Sequence, residues 1–426
     1  MEKLSQFMEA RFAAPMAKIA SQRHLRAIRD GMVATLPIII MGSFFLMFGG
    51  NLPLPKDWAI QEFLVANAAK IVLPYRMSMG IMALYATFGI GYSLSESYDL
   101  DGLSGGIIAI LSFLLTFTPI NVAADLNAGI SGWVIPMGQL GGGGMFVAII
   151  TSILGVEIFR LVIKSGLTIK MPEQVPPSVA RSFEALFPTA VILLFFGAIT
   201  YWLGFNWHTF ITTLVSPLVK AADSYLSVML QTFLNSFFWV FGIHGASIVG
   251  NIARPIWVTL IEINQALIET GQAPTAIAAE PFFQWFIYIG GSGATIGLAF
   301  AMIFTGRSSF TKSLSKTVVI PAIFNINEPI MFGTPVVMNP VLMIPFIFAP
   351  LILGTIAWFA TILGFVNKVS FIAPWTLPGP IGAWMATGYD WRAAVLSVIL
   401  IVVATLIYIP FFIVYDNSLL AEEEGN

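Results

Sequence analysis

Four ionisable side chains make a short list of candidates at membrane depth in this 426-residue chain: His244, Arg254, Glu262 and Glu328. An ionisable group at membrane depth costs about 2.5–3.5 kcal/mol on insertion scales, so such groups mark function. His244 stands between Gly242 and Gly245 in Phe-Gly-Ile-His-Gly-Ala-Ser (241–247), just after Phe237, Phe238 and Trp239. Glycine on both sides lets a second backbone or a ligand come close; the alternative is a histidine bonded to a neighbouring helix carbonyl. Glu328 stands in Asn325-Ile326-Asn327-Glu328-Pro329. A carboxylate beside two amides and a helix-breaking proline can hold sugar hydroxyls in bidentate fashion and take a hydroxyl proton; the alternative is a carboxylate capping broken helix ends.

Arg254 and Glu262 are eight residues, about two turns, apart and share a helix face, which suits ion pairing with other helices. Asn251 and Gln284 can hydrogen-bond a polar ligand. Trp239, Phe241, Phe324, Phe332, Trp375 and Trp384 recur near the same segments. Such rings suit the C–H faces of a saccharide, although tryptophan also collects at membrane interfaces. His24 falls in a basic N-terminal stretch and His208 in an expected external loop, and neither is read as functional. Two glycine clusters, Gly141–Gly144 and Gly290-Gly291-Ser292-Gly293-Ala294-Thr295-Ile296-Gly297, look superficially like phosphate cradles. The second misses the dinucleotide spacing by one residue and opens an apolar helix, so close helix packing through small residues accounts for both better. No metal-ligand spacing and no nucleophile–base signature appears, and no cofactor is expected.

These residues must be held by a membrane scaffold. The chain is 57% hydrophobic and only 10% charged, against roughly 45–50% and about 25% for soluble globular proteins. The balance of charge gives no nucleic-acid footprint. There is no cysteine, which excludes disulfides, thiolate metal sites and a cysteine nucleophile in this chain. A bilayer core of about 30 Å takes roughly 20 apolar residues per helix. Ten runs qualify: 31–49, 77–96, 104–121, 141–163, 185–204, 223–243, 246–269, 284–305, 340–366 and 393–415. The fold class expected is therefore an all-α polytopic membrane protein with about ten transmembrane helices.

Segments 317–339 and 369–388 are apolar but punctuated by Pro321, Pro329 and Pro335, and by Pro374, Pro378 and Pro380. Each proline removes a helix hydrogen bond, and irregular backbone at membrane depth survives only beside protein or a wet cavity. Both segments read as re-entrant hairpins next to a substrate site. Residues 1–30 carry six Lys/Arg among apolar residues and read as an interfacial amphipathic helix. With the N-terminus in the cytoplasm, segments 1–30, 160–184 and 306–339 hold 13 of the 20 Lys/Arg, so the positive-inside rule puts both termini in the cytoplasm. The expected division is a transmembrane half over 31–204, a connector over 205–222, a second half over 223–415 and a tail over 416–426.

The stretch Asn325-Ile326-Asn327-Glu328-Pro329-Ile330-Met331-Phe332-Gly333-Thr334-Pro335, with Asn339-Pro340 beyond, resembles the Asn-Glu-Pro loop of a known permease family. These are the enzyme IIC subunits of the bacterial phosphoenolpyruvate-dependent phosphotransferase system, in the lactose/cellobiose/diacetylchitobiose branch. Gly-Ile-His-Gly at 242–245 resembles that branch's second signature, and the likeness runs along the whole chain. The resemblance implies a homodimer in the bacterial cytoplasmic membrane, dimerised by the N-terminal half, with the sugar held by the C-terminal half. It implies that Asn327 and Glu328 bind the sugar, that His244 lies near its reactive hydroxyl, and that a separate phosphorylated IIB protein, itself charged by IIA, phosphorylates the sugar at O6. With no cysteine to carry the phosphoryl group and only a short tail after the last run, IIB is expected as a separate partner. The expected pocket comprises Trp239, His244, Asn251, Asn327, Glu328, Trp375 and Trp384, with a β-linked disaccharide such as diacetylchitobiose or cellobiose preferred over lactose. The competing readings are a proton-coupled sugar symporter and an intramembrane enzyme acting on a lipid-linked sugar.

Overall fold

A computed structural model describes residues 22–49, 57–125, 130–169, 171–172, 174–242, 244–334, 336–337 and 339–425. The expected interfacial helix over 1–30 therefore lies mostly outside the described residues. Its last part is helical and continuous in direction with the first apolar run, so that Arg23–Leu46 is one candidate span. The described chain forms two compact units, one from residues 20–45 and 71–218, the other from 46–70 and 219–426.

The first unit contains α1 (Arg23–Ala34), most of α2 (Leu36–Phe48), α3 (Met82–Glu96), α4 (Gly102–Leu114), a β1–β2 hairpin (Ile120–Asp125, Ile130–Val134), α5 (Met145–Lys164), α6 (Leu186–Gly197) and most of α7 (Trp207–Ala222). The antiparallel hairpin, pairing Ile120 with Val134, is the one departure from an all-α reading among the described residues. Helix α4 stops at Leu114, short of the expected 121, because Pro119 forces the residues before it out of helical backbone. Helix α3 packs on α1, α4 and α5. Where it meets α1 the backbones nearly touch: a methyl group on Gly31 would lie 2.5 Å from the Ile90 nitrogen.

A polar knot ties α1 to α5. His24 Nε2 sits 3.0 Å from Glu157 Oε1, the Tyr98 hydroxyl donates to the same carboxylate, and Arg160 Nε donates to its other oxygen at 2.9 Å. Glu157 lies with Arg160 inside the expected 141–163 run, and its partners His24 and Tyr98 are far away in the sequence. His208 is not in an external loop. Residues 207–222 of the expected connector are helical, and His208 is 4% exposed, with Nε2 3.1 Å from the Thr116 hydroxyl.

The second unit contains α8 (Tyr225–Val240), α9 (Gly245–Glu269), a tight turn at Glu280–Phe282 that widens into a π-helical turn at Phe283–Ile287, α10 (Ile296–Thr305), α11 (Ser309–Ile323), α12 (Glu328–Gly333), α13 (Met343–Ile362), α14 (Gly379–Ala386) and α15 (Trp391–Gly425). Helix α15 is its mast: α10, α13 and α14 all pack on it, and α8 packs on α13. Trp285, Phe282, Phe286, Phe346, Tyr408 and Phe412 fill the interior.

The carboxylates of α15 hold the start of α11. Asp416, 1% exposed, accepts from the Arg307 amide at 2.6 Å, the Ser308 hydroxyl at 2.8 Å and the Thr311 hydroxyl at 2.6 Å. Glu423 accepts from the amides of Ser309 at 3.1 Å and Phe310 at 3.2 Å. These are the orphan N–H groups of a helix start, and a carboxylate is the natural partner for them.

Among the described residues, four helices are long and apolar enough to cross a membrane: Arg23–Leu46, Gly142–Lys164, Met343–Ile362 and Trp391–Glu423. Two bent pairs, each a broken span or a re-entrant loop, are Ala68–Met77 with Met79–Glu96 at 41° and Leu186–Trp202 with Trp207–Ala222 at 87°; counting each as one span gives six. The run at 284–305 is not one helix, because the glycine cluster interrupts it and leaves only Ile296–Thr305 regular. Large apolar side chains point outward along these helices, Leu194 being 74% and Trp202 90% exposed, as a lipid-facing surface requires. Segment 317–339 is a helix, a break and a short helix. Segment 369–388 closes on itself, since the amides of Ser370 and Phe371 both donate to the Ala386 carbonyl, at 2.7 and 3.1 Å.

Candidate functional site

The glycine cluster of the second unit is the frame of the site. Gly290, Gly291 and Gly293 have φ of +81°, +100° and +83°, a backbone closed to most other residues. The close-packing expectation holds at Gly293, where a Cβ would lie 2.1 Å from the Phe346 ring, and at Gly297, which abuts the Ala404 backbone; the left-handed turn also bonds the segments around it. The Gly290 amide donates to Asn325 Oδ1 at 2.8 Å. Asn327 Nδ2 donates to the Ser292 carbonyl at 3.3 Å, and Tyr408 on α15 donates to the Gly293 carbonyl at 2.7 Å. Ser292 and Asn235 of α8 pair side chain to side chain at 3.3–3.4 Å.

Asn325 is the clip that joins three segments. It has φ of +62°, which asparagine tolerates better than other non-glycine residues. From there its Nδ2 donates to the carbonyls of Trp375 at 2.8 Å and Leu377 at 2.9 Å, while its Oδ1 takes the Gly290 amide. One side chain thus fixes the Asn-Glu-Pro loop against both the glycine turn and the irregular arm that leads to α14. Asn327 packs over Gly291, where a Cβ would lie 2.6 Å from the asparagine Cβ and Cγ.

His244 is the N-cap of α9. Its Nδ1 accepts from the Ser247 amide at 3.1 Å and lies 2.8 Å from the Ser247 hydroxyl. A backbone amide can only donate, so Nδ1 carries no proton and the neutral ring bears its hydrogen on Nε2. The imidazole is exposed and its ring centre is 4.5 Å from that of Trp239. Of the two readings of the flanking glycines, backbone approach is realised at Gly245, where a Cβ would lie 2.0 Å from the Asn235 carbonyl oxygen. That contact sets the start of α9, and with it His244, against α8.

Asn327 thus sits on the glycine turn, the backbone of Trp375 (54% exposed) is tied to it through Asn325, and Trp239 and His244 contact each other on α8 and α9, of which α8 meets the turn through Asn235 and Ser292. Glu328 follows Asn327 directly as the first residue of α12; its side chain and that of Asn251 lie outside the described residues. Trp384 does not join the cluster through any of these bonds and packs on Tyr389, ring centres 4.7 Å apart. Phe324 and Phe332 face outward, at 42% and 73% exposed. Arg254 pairs with Glu280 at 3.0 Å, the ion-pair role expected of it, whereas Glu262 Oε1 is buried without a partner.

Sequence reasoning missed Asn235, Ser292, Tyr408 and the structural role of Asn325. The signal for α8 was present: Thr232, Asn235, Ser236 and Trp239 fall at i, i+3, i+4 and i+7, one face of an otherwise apolar helix. The assembled chemistry is neutral donors and acceptors plus an aromatic face, the equipment for binding a polyhydroxylated ring.

Residues 29–350 match the family model described as Phosphotransferase system, EIIC. The chain is 39% identical to the lichenan permease IIC component of Bacillus subtilis (strain 168), over 99% of this chain and 96% of that one. It is 39% identical to the PTS system cellobiose-specific EIIC component of Geobacillus stearothermophilus, over 100% and 97%. Its fold is similar to the crystal structure of the transporter ChbC, the IIC component from the N,N'-diacetylchitobiose-specific phosphotransferase system, with a TM-score of 0.90 and 35% identity over 99% of this chain and 100% of that one.

Proposed function

From the premise that this chain belongs to the EIIC family, the membrane-embedded sugar permeases of the phosphotransferase system, we propose that it carries a β-linked disaccharide of the cellobiose or diacetylchitobiose type across the bacterial cytoplasmic membrane and presents the 6-hydroxyl to phosphorylated IIB. The names of its relatives support the sugar class. What supports the reading is Asn327 seated on the glycine turn, with Glu328 next in the chain, and Trp239 against His244 where α8, tied to that turn by Asn235 and Ser292, meets the start of α9.

The tautomer of His244 divides the labour at the reacting hydroxyl. With Nδ1 committed to the α9 cap, Nε2–H is a donor, so His244 orients O6 by donating to it. Glu328 is then the acceptor of the O6 proton. In the transfer, O6 attacks phosphorus as the P–S bond to the IIB cysteine breaks, the thiolate leaves, and the proton passes to the Glu328 carboxylate. Phosphoryl transfer asks chiefly for such positioning and charge stabilisation, and the added charge keeps the product from re-binding. The reading includes a homodimer built on the 31–204 half, a sugar-binding half over 223–415 that moves relative to it, and cytoplasmic termini.

The test is equilibrium binding of radiolabelled diacetylchitobiose to detergent-purified protein, competed with cellobiose, lactose and monosaccharides, with no phosphoryl donor present. Saturable binding lost in Glu328→Gln supports the site, and the competition order names the sugar. Phosphorylation by phospho-IIB should be abolished in Glu328→Gln. Folded protein that binds no disaccharide refutes the reading and favours the lipid-linked-sugar enzyme; uptake that follows a proton gradient without a phosphoryl donor favours the symporter.

A further inference from the structure

The buried face of α8 carries polar groups whose bonding is incomplete. Thr232 Oγ1, Ser236 Oγ, Trp239 Nε1 and the Tyr288 hydroxyl are buried and have no hydrogen bond of ordinary geometry, the Tyr288 hydroxyl making only loose contacts with Asn235 and Thr232. Thr232 and Ser236 are 0% exposed. A serine or threonine inside a helix ordinarily discharges its hydroxyl onto the carbonyl four residues back. Thr87, Ser112, Thr151, Thr361 and Thr387 do so in this chain, at 2.6–2.9 Å. Thr232 and Ser236 do not, so their hydroxyls are left for another partner. Asn235 between them bonds the Ser292 hydroxyl, which accepts from its Nδ2 at 3.3 Å and donates to its Oδ1 at 3.4 Å, both long for hydrogen bonds. Away from water, unmet hydrogen-bonding capacity on this scale is costly and points to a missing partner.

We infer that Thr232, Ser236 and Tyr288 are sugar contacts: they form a hydroxyl-reading wall behind Trp239 that bonds the hydroxyl groups of a pyranose ring and so sets which sugar is accepted. The inference rests on the function proposed above and extends its site from the Asn-Glu-Pro loop to α8. Side-chain hydroxyls act as donor or acceptor, so a set of three can match a ring whose hydroxyls need both. Trp239 stacks its face beside them and offers the donor that Nε1 has free.

Thr232→Val, Ser236→Ala and Tyr288→Phe each remove a hydroxyl with little change of shape. For each purified variant, cellobiose and diacetylchitobiose binding and the sugar-free thermal midpoint are measured. The expected result is a midpoint equal to or above wild type, because an unsatisfied buried group has been removed, with affinity about three- to tenfold weaker per hydroxyl. At least one monodeoxy cellobiose should bind wild type and a matching variant equally well. Three variants that keep wild-type affinity overturn the inference and leave these groups to ordered water. Weaker binding that tracks a lowered midpoint, with no deoxy sugar rescued, overturns it in favour of a packing role. Wild-type protein that binds no disaccharide overturns the proposed function itself, a failure distinct from either.

Discussion

Replacing Asn325 should damage the second unit more than any other single polar change near the site, and the structure says by how much. Asn325→Ala removes three hydrogen bonds, leaving the Gly290 amide and the carbonyls of Trp375 and Leu377 without their partner. At about 1 kcal/mol net for each bond the loss is roughly 3 kcal/mol. Alanine must also hold φ near +62°, which adds about 1–2 kcal/mol. Asn325→Gly loses the bonds but adopts that backbone freely, so it should be less damaging than alanine by the last increment. Asn325→Asp keeps an acceptor for Gly290 but sets a carboxylate oxygen against two carbonyl oxygens, and should be at least as harmful as alanine. Thermal unfolding of detergent-purified protein, followed by tryptophan fluorescence, should therefore rank wild type above glycine, and glycine above alanine and aspartate, with the alanine midpoint lower by on the order of 5 °C. Alanine indistinguishable from wild type would refute the three-way clip. Glycine equal to alanine would refute the backbone argument and leave only the bonds.

Other substitutions separate support from contact. Gly291→Ala puts a methyl group 2.6 Å from Asn327 at a φ of +100°, so it should lower sugar affinity by at least tenfold in protein that still folds, read by the same binding assay. His244→Asn keeps a good N-cap for α9 while withdrawing Nε2; it should hold the thermal midpoint nearer wild type than His244→Ala does, and both should lose phosphorylation. At the start of α15, burial opposes charge on Asp390, but the Arg392 guanidinium and the amides of Asn367 and Arg392 outweigh it and hold the carboxyl below the usual range. A lowered native pKa gives stability that is full above the unfolded value of about 3.9 and is lost as pH falls through the native one. The midpoint gap between wild type and Asp390→Asn should therefore be widest near neutral pH and close below about pH 4; a gap that stays constant would show that the ion pair contributes nothing.

The rare residues were readable and the partners they need were not. His244, Asn327 and Glu328 announce themselves because polar groups in apolar runs are few. Asn325 stands in the same motif, yet its work depends on carbonyls 50 and 52 residues away, which no local pattern contains. The glycines at 290–293 read as helix packing because composition cannot report the sign of φ. The polar face of α8 was visible at helical spacing, but Ser, Thr and Asn are cheap enough in a membrane helix to pass unnoticed. The helix at 207–222 was hidden by its polar residues, which the 87° bend after Trp202 leaves in a second short arm. The run at 284–305 erred the other way, since enough apolar residues in sequence do not prevent a glycine turn.

Helix α11 is, in mechanical terms, a ruler. Its zero is pinned to the mast by Asp416 and Glu423, and its 15 residues span about 22 Å before the chain turns at Asn325. The level at which the Asn-Glu-Pro loop stands is thus a count of residues from that anchor. One residue inserted into α11 would advance the loop by about 1.5 Å and swing it by roughly 100°, whereas four would advance it about 6 Å and nearly restore its facing. Depth and bearing of the site can be altered separately, which makes residue number in this one helix a dial on how far from the anchored end a sugar is held.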